Sequence, residues 1–322
     1  MKGVVIGSGF GLIHAQNIKH TSGLELIGIV PGRRQSYAGE RISQLGLNII
    51  ADLDDVIQLK PDFVTIATPP STHREIALKF LDHGIATVIE KPLSERDDFT
   101  RELSGARALA TVYYQWRFHP AIEIAQQLCA KALAPTRISL TFRHHFLAGR
   151  ETQWAWRHNP LVAGSGVLAD LGVHLVDLLF WLTEQDFTPV KVSSGVVHST
   201  RIYSEEEIEG RTEDYLQIEA AAAGNGTSAI INVDRTVAQH NEIVLEISGA
   251  EEVVKIRINT ENGEWSMGST VHTLTENEQP ARRFYTELAK VLKGGQTFKL
   301  PSLDQISKVH AFSAAVQSQI KY

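Results

Sequence analysis

A single cysteine, Cys129, in 322 residues leaves no partner for an internal disulfide and excludes a cysteine-based zinc site. That usage fits a reducing compartment, and we expect a cytoplasmic protein. Long apolar runs are also missing. The longest, 167–182, is cut by Asp170, His174 and Asp177 and is no membrane span. Lys2 followed by an apolar run to Ile13 could pass for a secretion signal. No A-x-A cleavage site follows, and a strand entering a glycine turn accounts for the run better. Positive charge is not in excess: Lys+Arg total 31 against Asp+Glu 37, a formal net charge of -6. Without a dense basic run, neither nucleic acid nor an anionic membrane is an expected partner. Hydrophobic residues at 43% and charged residues at 21% are ordinary globular usage, which excludes a disordered, collagen-like or coiled-coil chain. The length predicts about two domains at roughly 150 residues each, enough to bury a large core.

What the chain does have is alternation. Apolar runs at 3–6, 24–30, 63–67, 85–89 and 110–114 alternate with amphipathic stretches at 12–20, 36–45, 54–60, 72–83 and 95–108. Strands of nearly continuous Val, Ile and Ala between helices predict a parallel sheet covered on both faces. Beyond Pro120 the pattern changes. Residues 122–132 read as a helix, 136–142 alternate with period two, and 164–182 form a long apolar helix. Strand-like runs at 190–202, 214–222, 227–233, 243–248 and 253–258 then follow one another. Strands without helices between them predict a large, open, mainly antiparallel sheet. The expected domains are therefore 1–119 and 120–322, with a closing helix at 303–320 that could pack back on the first domain. The acidic run 205–209 reads as a solvated loop.

Between the first strand and first helix stand Gly7, Ser8, Gly9, Phe10, Gly11 and Leu12. Glycines there allow a tight turn and let backbone N–H groups approach a pyrophosphate at a helix N-terminus. A glycine pattern alone could be a plain turn; the strand–turn–helix context makes it a dinucleotide candidate. The third glycine falls one place early, with Leu12 in the usual slot. The second strand ends Val30-Pro31-Gly32-Arg33-Arg34. It lacks the Asp or Glu that an NAD site sets on the ribose 2′-OH. Arg33 and Arg34 suit a 2′-phosphate instead, so NADP(H) is expected in preference to NAD(H), which stays possible. The alternative is an exposed arginine pair on a loop.

Thr68, Pro69 and His73 follow the run 63–67, and Glu90 and Lys91 follow 85–89. Both groups lie at carboxyl ends of strands, where open α/β sheets bind ligands. They are candidate cofactor contacts. Lys91 could also give a proton or a hydrogen bond to a substrate oxygen, although a lone loop lysine is usually a solvated charge. Asp170, His174 and Asp177, at i, i+4 and i+7, share one face of an apolar helix. Such groups are costly there unless paired or used. A core Asp–His hydrogen bond with a cap is one alternative. A metal triad is another, but nothing nearby completes a coordination shell, and no metal is expected. His144 and His145 read as ordinary polar residues.

Taken in order, the glycine loop, Thr-Pro-Pro-x-x-His at 68–73, Glu-Lys-Pro at 90–92, Tyr113 to Pro120, Trp156-Arg157 and Gly-Ser-Gly-Val-Leu-Ala-Asp-Leu-Gly-Val-His-Leu-Val-Asp at 164–177 resemble the Gfo/Idh/MocA (glucose–fructose oxidoreductase / inositol dehydrogenase / rhizopine catabolism) family. The resemblance covers essentially the whole chain, including Asp214-Tyr215, Asn225-Gly226 and the final helix. It implies a Rossmann domain, a second α/β domain with a large open sheet, and NAD or NADP as cofactor. It implies hydride transfer between the nicotinamide and a hydroxyl or carbonyl carbon of a sugar, polyol or related compound. By the same resemblance, Lys91 contacts the reacting oxygen and the nicotinamide ribose. His174 is the acid/base with Asp170 beside it, and Trp156 and Arg157 reach the cofactor. The shortened glycine loop and the missing acid depart from the pattern and touch cofactor selection.

The chemistry is consistent with those roles. Oxidising a carbinol removes a hydride and the hydroxyl proton. A neutral imidazole can take that proton near pH 7, and an ammonium beside the oxygen stabilises developing alkoxide charge. Two alternatives are an imine reductase of a biosynthetic pathway and a non-catalytic NADP-sensing regulator; the joint presence of Lys91, Asp170 and His174 argues against the regulator. Ala229-Ile230-Ile231 and Val253-Val254 place apolar residues on both faces of the second sheet, which predicts a homodimer or homotetramer joined there.

Overall fold

The computed structural model describes residues 1–32, 35–93, 98–150, 166–203, 206–224 and 226–320. The chain divides into two compact units, Met1–Phe118 with Asn277–Ile306, and His119–Glu276 with Ser307–Tyr322.

The first unit is a five-stranded parallel sheet of β1 (Lys2–Ile6), β2 (Glu25–Val30), β3 (Phe63–Ile66), β4 (Ala86–Ile89) and β5 (Ala110–Val112), in the order β2-β1-β3-β4-β5. Strands β3 and β4 are buried at every position, which is why they read as nearly continuous apolar runs. Helices α1 (Gly11–Lys19), α2 (Gln35–Gln44), α3 (Leu53–Gln58), α4 (Pro70–Asp82) and α5 (Phe99–Ser104) connect them. Their starts follow from local chemistry. Asp52 caps α3 by accepting from Asp54 N and Asp55 N, each at 2.9 Å, and Pro70 opens α4 with a residue that has no N–H to lose. The connection from β2 crosses over β1 to reach β3, so the strand order reverses between β1 and β3. That switch point is where an open α/β sheet holds a ligand.

A segment from the far end of the sequence completes this unit. In α8 (Pro280–Leu292), Phe284, Tyr285 and Leu288 are buried in one cluster with Val5, Leu12, Ile18, Phe63, Tyr113 and Phe118. The expected division at 119/120, with everything beyond in one domain, is corrected accordingly: 277–306 belongs with the first unit. The reason is the apolar stripe of α8, which fills the core beside α1. Of the closing helix α9 (Leu303–Gln317), residues from Ser307 onward belong to the second unit. There Phe312 meets Phe180 at 5.7 Å between ring centres and Lys308 pairs with Asp186 at 2.9 Å.

The second unit is built on an eight-stranded sheet in the order β15-β14-β13-β12-β6-β11-β10-β7. Its strands are β6 (Arg137–Arg143), β7 (Phe187–Gly195), β10 (Tyr215–Ala222), β11 (Ser228–Asp234), β12 (Glu242–Ser248), β13 (Val253–Asn259), β14 (Glu264–Met267) and β15 (Thr270–Thr273). The pair β6–β11 is parallel and the other pairs are antiparallel. Helices α6 (Pro120–Leu128) and α7 (Val173–Thr183) belong to this unit, and α7 packs on β6 and β11. The predicted single run 190–202 is broken in two. The chain turns where Asp214 accepts Val197 N and His198 N, and β8 (Thr200–Tyr203) then pairs with β9 (Glu206–Glu209). The acidic run expected as a loop is thus largely strand.

One face of the large sheet buries Ile138, Leu140, Ile218, Ile231, Leu245 and Ile256. The other carries Ser139, Thr141, Gln217, Glu219, Asn232, Glu246, Lys255 and Arg257, partly or fully exposed, with half-buried Ile230, buried Val244 and exposed Val253 between them. The second face is therefore mixed, with less apolar surface than expected: Ile230, Val244 and Val253 stand among polar neighbours. Period two sends Ala229 and Ile231 to the core and leaves Ile230 opposite them. Among the described residues no helix is long and apolar enough to cross a membrane.

Candidate active site

One group of candidate residues gathers at the carboxyl ends of β1, β3 and β4. Gly7 leaves β1 with φ +108° and donates its N–H to Val30 O at 2.8 Å. A Cβ there would overlap Ala67 O at the end of β3, so the close approach of the two loops at the switch point requires glycine. Gly9 is exposed, and nothing lies within 4 Å of where its Cβ would stand. Gly11 opens α1, and a Cβ on it would come to 3.0 Å from Val5 Cγ1. The three glycines provide a tight turn, open space above the backbone and close helix–strand packing, which fits a dinucleotide pyrophosphate at the start of α1. Gly7→Ala is expected to destabilise the protein by about 1–3 kcal/mol from backbone conformation alone, with the clash in addition. A urea midpoint matching wild type would refute this.

Two of the expected cofactor contacts have other roles. Leu12 is buried in the first unit's core and its N–H goes to Gly9 O at 3.2 Å. With the third glycine one residue early, the position after it turns inward. His73 is fully buried; its Nδ1 lies 3.1 Å from both Pro92 O and Leu93 O, and its Nε2 lies 2.8 Å from Thr68 O. The ring ties the start of α4 to the loop after β4. Burial holds its pKa below the usual histidine value against the carbonyls, which favour the charged form. Phe10 and Pro69 are exposed, and Thr68 is half-buried with its hydroxyl accepting from Thr72 at 2.7 Å.

Lys91 is half-buried directly beyond β4, and the Lys91–Pro92 peptide is cis. Its N–H donates to Glu90 Oε2 at 2.9 Å, while Glu90 Oε1 lies 2.8 Å from His14 Nε2. Burial alone would raise the Glu90 carboxyl. The His14 hydrogen bond, the His14 and Lys91 charges and the Lys91 N–H together hold it below the ordinary glutamate value. Glu90 is thus a buried carboxylate under Lys91.

A second group of candidate residues belongs to the other unit. Asp170 sits in a π-helical turn, Leu168–Gly172, and His174 and Asp177 follow on α7. Spacings of four and three residues along this helical segment keep Asp170, His174 and Asp177 towards one side of it. His174 and Asp177 are buried, and the His174 ring lies 6.5 Å from that of Phe142. Glu213 holds the start of this helical segment by accepting Gly166 N at 2.8 Å and Leu168 N at 3.1 Å. Burial pushes the Glu213 carboxyl above its usual value, against those two bonds. A Cβ on Gly166 would overlap Glu213 O and crowd Thr212. Gly166→Ala is therefore expected to cost about 1–3 kcal/mol by overpacking, read as a lower melting temperature; an unchanged melt would refute it.

Behind Asp170 lies a buried charge cluster. Arg235 Nη1 is 4.0 Å from Asp170 Oδ2, and its Nε bonds Asp214 Oδ1 at 3.2 Å. Arg201 reaches the same Asp214 oxygen at 3.1 Å. Burial lowers the pKa of His144 first, then the neighbouring His145; the Asp170 and Glu261 charges act in the opposite direction. His144, read from sequence as an ordinary polar residue, therefore feels the charge of Asp170. Arg33, Arg34, Trp156 and Arg157 lie outside the described residues. Among the described residues no three His, Cys, Asp or Glu side chains converge as a metal site would.

Comparison with known proteins agrees with this anatomy. Glucose-6-phosphate 3-dehydrogenase of Bacillus subtilis is 24% identical over 224 residues, 67% of this chain and 62% of that one. Levoglucosan dehydrogenase of Pseudarthrobacter phenanthrenivorans is 27% identical over 163 residues, 48% of this chain and 42% of its own length. The match thus spans less than two thirds of each relative. A solved levoglucosan dehydrogenase in complex with NADH and L-sorbose superposes with a TM-score of 0.82 at 20% identity, covering 99% of this chain and 96% of that one, which shows a shared fold. Residues 1–111 match the oxidoreductase family with an NAD-binding Rossmann fold, and residues 134–255 match the GFO/IDH/MocA C-terminal domain. The chain belongs to the Gfo/Idh/MocA family of oxidoreductases.

Proposed function

We propose that this protein is an oxidoreductase that moves a hydride between a nicotinamide cofactor, NADP(H) in preference to NAD(H), and a hydroxyl or carbonyl carbon of a sugar or polyol. The observation that carries the reading is Lys91 at the carboxyl end of β4 in a Rossmann sheet, its backbone fastened to the anionic Glu90. The activities named for the two curated relatives, both sugar dehydrogenases, support the substrate class.

When bound, the cofactor accepts or supplies the hydride, and Gly7, Gly9 and Gly11 would hold its pyrophosphate. The remaining work belongs to side chains. Lys91 directs its ammonium at the substrate oxygen and stabilises negative charge developing there. His174, as a neutral imidazole, takes the hydroxyl proton during oxidation and returns it during reduction. Asp170, held near Arg235, orients the imidazole and the substrate. A substrate panel read by nicotinamide fluorescence tests this. Turnover of a sugar or polyol is expected, and cofactor binding without turnover across the panel would reject it.

A homodimer or homotetramer is proposed with it, joined through the face of the large sheet that carries Gln217, Ile230, Asn232 and Val244. These residues sit side by side in register with Thr141 and Ser139. Light scattering at micromolar concentration is expected to give a multimer, and a monomer would overturn this. A cytoplasmic, reducing location is proposed on the single-cysteine composition.

A further inference from the structure

Glu90 stands in the middle of a buried chain of hydrogen bonds running from α8 to Lys91. Thr65 Oγ1 is 3.1 Å from the Tyr285 hydroxyl, and that hydroxyl is 2.8 Å from His14 Nδ1. His14 Nε2 is 2.8 Å from Glu90 Oε1, and Glu90 Oε2 accepts the Lys91 N–H at 2.9 Å. Thr65, Tyr285, His14 and Glu90 are all buried. The chain is satisfied whether the His14 ring carries one N–H or two. With one, Thr65 donates to Tyr285 and Tyr285 to His14 Nδ1; with two, Nδ1–H donates to Tyr285 and Tyr285 to Thr65. In both, His14 Nε2–H donates to the Glu90 carboxylate and Glu90 accepts the Lys91 N–H. Burial pushes the Tyr285 phenol far up, so its O–H stays intact as a donor.

The surroundings make this polarity conspicuous. Val5, Ala15, Phe63, Tyr113, Phe284 and Leu288 form the packing around it, and phenylalanine at 285 would fill the same volume. A polar chain in such a place is costly unless every member is satisfied. It ends at Lys91.

We propose that Tyr285 and His14 are positioning residues for Lys91, acting through Glu90. They fix the carboxylate in the rotamer that holds the Lys91 backbone and acts on its ammonium. This rests on the reading of Lys91 as the group that meets the reacting oxygen. Two other titratable groups feel the Glu90 charge. Tyr113, beyond β5, is held neutral by burial, then by Tyr285 and Glu90. His73 of α4 is kept low by burial. Neither neutralises the carboxylate, so its charge acts on Lys91.

The test needs neither cofactor nor substrate. Trace acetylation with acetic anhydride, read by peptide mass spectrometry, compares Lys91 with Lys191 in the same cofactor-free, full-length protein. Glu90→Gln removes the charge. It is expected to lower the Lys91 ammonium pKa and so raise its relative labelling several-fold. Tyr285→Phe is expected to raise the ratio about twofold or more, and to add nothing in the Glu90→Gln background. His14→Leu should behave like Tyr285→Phe, whereas His14→Gln, which keeps a donor to Glu90, should restore the wild-type ratio. A ratio unchanged in Tyr285→Phe overturns the proposal; should that variant fail to fold, equal ratios in the two His14 variants do so. The catalytic reading is judged separately. Lost turnover in Lys91→Ala with unchanged labelling in the Tyr285 and His14 variants fails the positioning role alone. Normal turnover in Lys91→Ala fails the catalytic reading, and the labelling still decides the coupling.

Discussion

Lys91→Ala and His174→Ala are each expected to lower kcat/KM by at least about 10²-fold, the lower end of what a positioned proton donor or acceptor contributes. The two losses should differ in origin. Lys91→Ala keeps the backbone N–H that Glu90 holds and removes only a half-buried side chain, so its melting temperature should stay close to wild type. It does leave the buried Glu90 without its neighbouring cation. His174 is almost wholly buried on α7, and alanine there opens a cavity that costs stability. His174→Asn preserves more of the volume and separates the effects, with turnover lost and the fold kept. Near-normal turnover in both Lys91→Ala and His174→Asn on the true substrate would end the assignment. A fall in kcat/KM for one alone would leave that residue with the role.

The second large effect concerns the choice of cofactor. Strand β2 ends at Val30 and is followed by Pro31 and Gly32, so no carboxylate accepts from a ribose diol or repels a 2′-phosphate there. Arg33 and Arg34 come next in sequence. One charge-assisted bond to a phosphate oxygen is worth about 1.5–3 kcal/mol, roughly ten- to a hundredfold in affinity. Replacing both arginines with alanine is therefore expected to weaken NADPH by that factor or more and NADH only slightly, measured by titrating the nicotinamide fluorescence. Equal or tighter binding of NADH by the wild-type protein rejects the preference. Equal loss for both cofactors would mean that the guanidinium groups stack on adenine instead.

The sheet of the first unit was legible because its strands have no solvent face. Positions 63–66 and 86–89 are buried throughout, and sequence registers that as a nearly continuous apolar run, interrupted only by Thr65 and Thr87. The helix α8 was missed for the opposite reason. Arg282, Arg283, Thr286 and Glu287 interrupt its apolar residues, and the partners of those residues, Val5 and Leu12, lie some 270 positions away. Motif position does not reveal what a side chain packs against. His73 and Leu12 stand where a ligand contact is expected, yet three backbone carbonyls take the one and the core takes the other. The helix segment carrying Asp170 was visible in outline but not its π-helical turn, which residue spacing does not encode. Arg201, Asp214 and Arg235 went unremarked as site residues because charged side chains are rarely buried unless paired, and pairings such as Arg201 with Asp214 are made only by the folded sheet.

The return of α8 to the first unit bears on how the protein is made. On the ribosome, β1 to β5 emerge complete by residue 112, yet the apolar surface of α1 and Tyr113 that α8 covers stays wet until residues near 292 leave the exit tunnel. Domains tend to fold as they are synthesised, but this one must wait until α8 has been made. A nascent or truncated product ending at Phe118 would present Val5, Leu12, Tyr113 and Phe118 at an unfinished core, a surface suited to chaperone capture. His14 and Glu90 would meet there without the hydroxyl of Tyr285. Completion of this unit is thereby coupled to translation of α8, since residues 1–118 cannot bury their own core before it is made.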